Sequence, residues 1–430
     1  MFAAIIGFIV AFLLIFARVP VAMALGLVGF MGYVWLLDWS PAITMLTLTT
    51  SSNTLNYNLA VIPLFILMGN LIAGAGVSMD LYRAAQAFIG RRRGGLALAT
   101  IVSSGGFAAV CGSSVATAVT MGRIAIPSMR QYGYADSLST ATVAAGATLG
   151  ILIPPSIIMV IYGIATETSI GHLFAAGVIP GILGVIGYMF AVKLAVILNP
   201  AAAPPSTASS FREKMTALRK TWLVGLLFAV VLGGIYAGIF TATEAGGIGA
   251  SGALLVAMFR KVDIRNYYLI FKDTAQTTAM LFAILIGAHA FSEFINLTGA
   301  DRMVLEMVTA SGLAPWMTIG IILLIYIFLG CLLDSLAMML LTLPMFFPVV
   351  MGLGYDPVWF GIVIVMVIEL ALITPPMGMN LFIVRAVAPE VPLITIIKGI
   401  TPFVLLDLAR VLLIVAFPVI ALWLPNYLFN

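Results

Sequence analysis

Gly150-Ile151-Leu152-Ile153-Pro154-Pro155-Ser156 and Ala371-Leu372-Ile373-Thr374-Pro375-Pro376-Met377-Gly378-Met379-Asn380 each set a proline pair inside a long apolar run, 221 positions apart. The same offset carries Ser114, Pro127, Gly133 and Tyr134 onto Ser335, Pro348, Gly354 and Tyr355. Farther on, Gly177 and Pro180 recur as Gly399 and Pro402, at 222, so one insertion separates the halves there. Helix breakers repeated at one spacing mark two structural repeats. In a membrane protein, interrupted segments at corresponding positions of two halves point to a transport site.

Composition identifies the solvent. Hydrophobic residues make up 63% of the chain, charged residues 8%, and mean hydropathy is +1.18, which excludes an ordinary soluble domain. Runs such as Ala3 to Phe16, Trp222 to Phe240 and Val404 to Leu422 approach or reach the length of a membrane helix and lack the alternation of a membrane barrel. The expected fold is an all-α polytopic membrane protein. Nothing basic precedes the first run, so it reads as a retained helix and not as a cleaved signal.

Spans are expected near 2–17, 20–37, 57–75, 136–164, 171–195, 221–240, 246–259, 274–297, 358–384 and 400–424. With Arg18 cytoplasmic and the N-terminus periplasmic, the Lys and Arg residues fall on the cytoplasmic side except Arg302, outside, and Arg123 and Arg410, within membrane segments. The net charge of +4 therefore expresses topology, and nucleic acid is not an expected partner.

Two apolar segments do not fit as spans. Residues 95–128 and 312–350 are interrupted at Cys111-Gly112-Ser113-Ser114 and at Gly330-Cys331-Leu332-Leu333-Asp334-Ser335. Each arm of the first has about 16 residues, roughly 24 Å of helix against a hydrocarbon core of about 30 Å. A re-entrant hairpin fits, its polar tip buried in protein or lining a water-filled cavity. Five crossings separate the two hairpins, so they enter from opposite faces as an inverted-topology repeat. The halves are 1–199 and 221–430, joined by a cytoplasmic linker at 200–220; the broken helices lie near 136–164 and 358–384.

A proline pair removes two backbone donors, and carbonyls upstream lose their partners. In lipid each orphan costs several kcal/mol. Na⁺ suits such oxygens, while half-helix amide ends favour an anionic substrate. Asp334 stands out independently, because an ionisable residue within the membrane is a functional candidate by default; it also reads as an N-cap of the second hairpin arm.

Phe107-Ala108-Ala109-Val110-Cys111-Gly112-Ser113-Ser114, Leu149 to Ser156, Tyr236-Ala237-Gly238-Ile239-Phe240-Thr241-Ala242-Thr243-Glu244-Ala245 and Thr374 to Leu381 resemble the large membrane subunit of tripartite ATP-independent periplasmic (TRAP) transporters. The resemblance covers essentially the whole chain. It implies an elevator-type, Na⁺-driven transporter of an organic acid, such as a C4-dicarboxylate or sialic acid, in the bacterial inner membrane. It also implies two partners, a small four-helix membrane subunit and a periplasmic substrate-binding protein. Carried over residue by residue, one Na⁺ site lies between Gly112, Ser113, Ser114 and Gly150, Pro154, Ser156. A second lies between Gly330, Asp334, Ser335 and Thr374, Gly378, Met379. The substrate then sits between them, near Ser113, Ser156, Asp334, Pro155 and Pro376. The chain departs from the family's usual pattern at Cys111 and Ala242.

Other polar residues carry less. Glu293 and Glu369 read as ion ligands or as hydrogen-bonded structural carboxylates, Asp407 and Arg410 as an ion pair on one helix face, and Glu244 as the holder of a turn. His172 and His289 show no metal-ligand spacing, and Cys111 and Cys331 read as free thiols. Segments 78–90, 264–273 and 300–311 read as interface helices. No nucleotide-binding loop occurs, so ATP is not the expected energy source. Two other readings stay open: a stand-alone Na⁺-coupled carboxylate carrier, and an intramembrane enzyme, for which no catalytic constellation is present.

Overall fold

The structure is a computed structural model that describes residues 2–205, 210–376 and 378–429. Among these residues all regular structure is helical. Seven helices among the described residues are long and apolar enough to cross a membrane, including Ile170–Leu198, Phe211–Tyr236, Ala242–Phe259 and Ile264–Thr298.

The interrupted segments become helical pairs. Gly95–Cys111 and Ser114–Gln131 turn at Gly112 and Ser113, and Pro315–Gly330 and Ser335–Gly352 turn at Cys331 to Asp334. Both fold back as hairpins: Ser103 Oγ lies 3.9 Å from Met121 Sδ across the first, and Tyr326 and Thr342 share a 2.7 Å hydrogen bond across the second. The diproline helices are discontinuous. Asp136–Thr148 ends in a tight turn through Ile151 and resumes as Ile157–Ala165, and Pro357–Ile373 stops at Thr374 and resumes as Met379–Val387.

The repeats exchange partners. Val21–Leu36 packs on the C-terminal half of Ile264–Thr298, and Ala242–Phe259 packs on the helical stretch Tyr57–Gly74. Small residues permit the first contact: a Cβ on Gly29 would meet the backbone of Ala290, and one on Gly287 the carbonyl of Ala22. Backbone-to-backbone approach at glycine is the usual way to pack helices in lipid, where hydrophobicity gives no drive to associate.

Four sequence expectations change. The interface helix expected at 264–273 is continuous with the span after it, because Ile264–Thr298 runs 35 residues without a breaker. The last span, expected at 400–424, divides into Leu393–Ala416 and Val419–Phe429, since Pro418 has no amide hydrogen to continue the ladder. Residues 38–56, left unassigned, form the helix Trp39–Leu55, opened by Asp38, whose carboxylate accepts from the Trp39 amide. Its many Thr and Ser residues obscure it in the sequence, and four of them donate back to main-chain carbonyls within one turn. The span expected at 221–240 begins earlier, at Phe211, where Ser210 and Glu213 form a capping box.

Candidate functional site

At the first tip, Gly112 takes φ +63°, a left-handed turn that glycine adopts without steric cost. Ser113 then leaves helical geometry and caps the second arm, its hydroxyl accepting from the Ala116 amide at 3.4 Å. At the first break, Pro154 and Pro155 have no amide hydrogens for the Gly150 and Ile151 carbonyls. Ser156 repairs one of these losses: its hydroxyl donates to Ile151 at 2.5 Å and accepts from the Met159 amide at 3.4 Å. The Gly150 oxygen keeps no helical donor. Tip and break are in contact, because a Cβ on Gly150 would lie 2.9 Å from the Ser113 carbonyl oxygen and one on Gly112 2.8 Å from that of Pro155.

The second pair repeats this construction with different side chains. Asp334 stands at the position equivalent to Ser113, 221 residues on, and caps its arm by accepting from the Leu336 amide at 3.2 Å. Pro375 and Pro376 deprive Ala371 and Leu372 of donors. Ala371 recovers one from the Thr374 amide at 3.2 Å, and the Thr374 hydroxyl turns back to Leu370 at 2.6 Å. Tip meets break here too: a Cβ on Gly330 would touch Ala371, and Cys331 Sγ lies 4.0 Å from the Pro375 carbonyl.

Both assemblies open on one cavity of about 500 Å³. Ser114, Ile157, Ser335 and Met379 all line it, and each is the first residue of its half-helix. Four helix N-termini therefore contribute to one wall, and their dipoles, with the amides that Ser113, Ser156 and Asp334 leave uncapped, favour an anion. Of the residues singled out in the sequence, Gly112, Ser113, Ser114, Asp334, Ser335 and Met379 line the cavity. Gly150, Pro154, Pro155, Ser156, Gly330, Thr374, Pro376 and Gly378 do not: Ser156 is buried behind the wall and Pro376 is exposed away from it. The oxygens at tips and breaks are neutral carbonyls and hydroxyls plus one carboxylate, a donor set that fits Na⁺.

The sequence profile described as "Tripartite ATP-independent periplasmic transporter, DctM component" matches residues 8–420. The chain belongs to that family. It is 37% identical to the C4-dicarboxylate TRAP transporter large permease protein DctM of Pseudomonas aeruginosa, over 93% of this chain and 94% of the relative. It is 34% identical to the ectoine large permease TeaC of Halomonas elongata and 32% to the sialic acid large permease SiaM of Vibrio cholerae, over 87% and 86% of this chain and 87% of each relative. Among solved structures, the Alcanivorax borkumensis YdaH transporter superposes with a TM-score of 0.64 at 18% identity, over 91% of both chains, a likeness of fold alone. These relatives are named as transporters, so this TRAP large permease is not an enzyme.

The facing wall of the permease cavity went unrecognised in the sequence. Asn70, Asp273, Gln276 and Thr277 line it from Val61–Gly74 and Ile264–Thr298. Asn70 was legible as an amide within an apolar run, whereas Asp273 was hidden in what read as an interface helix. Glu369, Asp407 and Arg410 lie away from the cavity in a buried cluster, Glu293 is exposed, and Glu244 closes a capping box with Thr241. His172 bonds Ser169 and stacks on Phe429. Cys111 and Cys331 are free thiols.

Proposed function

We propose that this chain is the transport subunit of a Na⁺-driven importer that receives an organic acid from a periplasmic binding protein and works with a small four-helix membrane subunit in a bacterial inner membrane, its own N-terminus periplasmic. One observation carries the reading: four half-helix N-termini, drawn from equivalent positions of two repeats, line a single cavity beside two proline breaks. The amide ends suit a carboxylate, and the carbonyls freed by the prolines suit the coupling cation.

In this mechanism the first Na⁺ is held by Gly112, Ser113 and Ser114 with Gly150, Pro154 and Ser156, and the second by Gly330, Asp334 and Ser335 with Thr374, Gly378 and Met379. A bound ion would hold each tip against the break it already touches and complete the anion site between them. The hairpins re-enter from opposite faces, and the hairpin-bearing part moves as a body against Val61–Gly74, Ile264–Thr298 and their neighbours, exposing the site to one side at a time.

The test is uptake into proteoliposomes that hold this chain, its small subunit and the binding protein. Uptake is expected to require the binding protein and a Na⁺ gradient. Undiminished uptake with K⁺ replacing Na⁺ on both sides overturns the coupling, and undiminished uptake without the binding protein supports a stand-alone carrier.

A further inference from the structure

The two walls of the cavity differ in hydrogen-bonding character. The hairpin-bearing side presents helix N-termini, which are donors, beside the Asp334 carboxylate that caps one of them. The opposite side sets two acceptors beside the Gln276 and Thr277 side chains, which can donate or accept. Asp273 is exposed to the cavity and has no hydrogen-bond or ion-pair partner among the described residues. The Thr274 hydroxyl donates to the Ile270 carbonyl at 2.8 Å, so it can only accept from the Asn70 side chain, whose amide nitrogen sits 3.0 Å away. That bond fixes the Asn70 amide and leaves its carbonyl oxygen available. No lysine, arginine or histidine lines the cavity among the described residues.

A dianion in such a cavity satisfies one carboxylate at the helix ends and carries the other toward Asp273, with no cation on the wall to offset the repulsion. A substrate with a single carboxylate and an ammonium, amidinium or hydroxyl at its far end meets both walls favourably. We infer that Asp273 is a specificity-determining residue, selecting organic acids whose end remote from the carboxylate donates hydrogen bonds or carries positive charge, and discriminating against dicarboxylates. This rests on the cavity being the carboxylate site of the proposed transporter, and it assigns the chain a different substrate class from that in the name of its Pseudomonas aeruginosa relative.

The experiment uses the full chain with its small subunit in nanodiscs, with Cys111→Ala and Cys331→Ala and one introduced thiol, Thr277→Cys, on the Asp273 wall. Labelling rates are measured with a cationic and an anionic methanethiosulfonate of similar size, trimethylammonioethyl and sulfonatoethyl, each divided by its rate with a free thiol. The cation is expected to be favoured about ten-fold; Asp273→Asn abolishes the preference and Asp273→Glu retains it. In Na⁺, millimolar 4-aminobutyrate or 4-hydroxybutyrate slows labelling while succinate does not, until Asp273→Asn admits it. An unchanged charge ratio in Asp273→Asn overturns the inference, and so does succinate protecting the unsubstituted wall as well as 4-aminobutyrate, or failure of all three to protect. Protection that is equal in Na⁺ and K⁺, with the charge ratio intact, counts against Na⁺ coupling and leaves the role of Asp273 standing.

Discussion

Thr148 donates a hydrogen bond to Glu369 at 2.8 Å, and the two residues stand 221 positions apart, at the same place in the two repeats. Their broken helices thus touch at equivalent points. Tyr188 and Arg410, 222 apart, meet beside them, the guanidinium 5.8 Å from the ring centroid. Arg410 also lies 2.5 Å from Glu369 and 2.5 Å from Asp407, all three side chains buried. One cation therefore serves two carboxylates where the repeats join, on residues of Pro357–Ile373 and Leu393–Ala416.

Removing that cation strands both carboxylates. Arg410→Met is expected to cost about 3–5 kcal/mol of stability, read as a lower unfolding midpoint in detergent. Adding Glu369→Gln to Arg410→Met recovers part of the loss, because one stranded charge is gone. A single variant as stable as the parent shows that the cluster contributes nothing net.

Gly112 and Gly76 separate two causes of strain. Both have positive φ, +63° and +74°, but a Cβ on Gly112 would sit 2.8 Å from the Pro155 oxygen while one on Gly76 meets nothing within 4 Å. Either alanine costs about 1–2 kcal/mol in backbone conformation. Only Gly112→Ala is expected to lose most uptake, since it also pushes tip from break. Equal uptake by the two variants argues that tip–break contact is dispensable.

Asp334→Ala removes the one carboxylate from the second tip together with its cap on Leu336. Uptake is expected to fall at least ten-fold at all Na⁺ concentrations, while the lost cap costs only about 1 kcal/mol and membrane insertion persists. Near-normal uptake across a Na⁺ titration reduces Asp334 to a cap.

Val115 and Met280 line the cavity from opposite sides, one at the first hairpin tip and the other on Ile264–Thr298. If the hairpin part moves as a body, a reversible crosslink between cysteines at these positions forms in one transport state and arrests uptake until it is reduced. Full crosslinking with uptake at the unlinked rate refutes rigid-body motion in favour of local gating.

Outside the membrane, Arg130 holds Asp136 at 2.7 Å and also pairs with Glu390. The hydrogen bond from Arg130 keeps the Glu390 carboxyl below the ordinary glutamate range. A depressed carboxylate contributes stability that is complete above its ordinary value and fades as pH falls through the lowered one. Because Glu390 is exposed, the contribution is small. Glu390→Gln is expected to lower the unfolding midpoint slightly at neutral pH and not at all in strong acid; a difference that grows on acidification contradicts the pairing.

The sequence alone determined the solvent, the repeat and its offset, the two interrupted segments, the two breaks and the capping role of Asp334. Each of these follows from local chemistry: apolar composition demands lipid, a proline pair cannot continue a helical ladder, and a serine or aspartate before an apolar run opens a helix by capping its first amides. Tertiary structure alone decided that Ser156 turns inward to repair a broken ladder, that Arg410 joins Glu369 to Asp407, and that Asn70 and Asp273 face the cavity. Asn70 and Thr274 are 204 residues apart. No local periodicity can report such a pairing, since it depends on how the packed helices are rotated about their axes, and Asp273 becomes a cavity residue only because Ile264–Thr298 runs unbroken past the first tip.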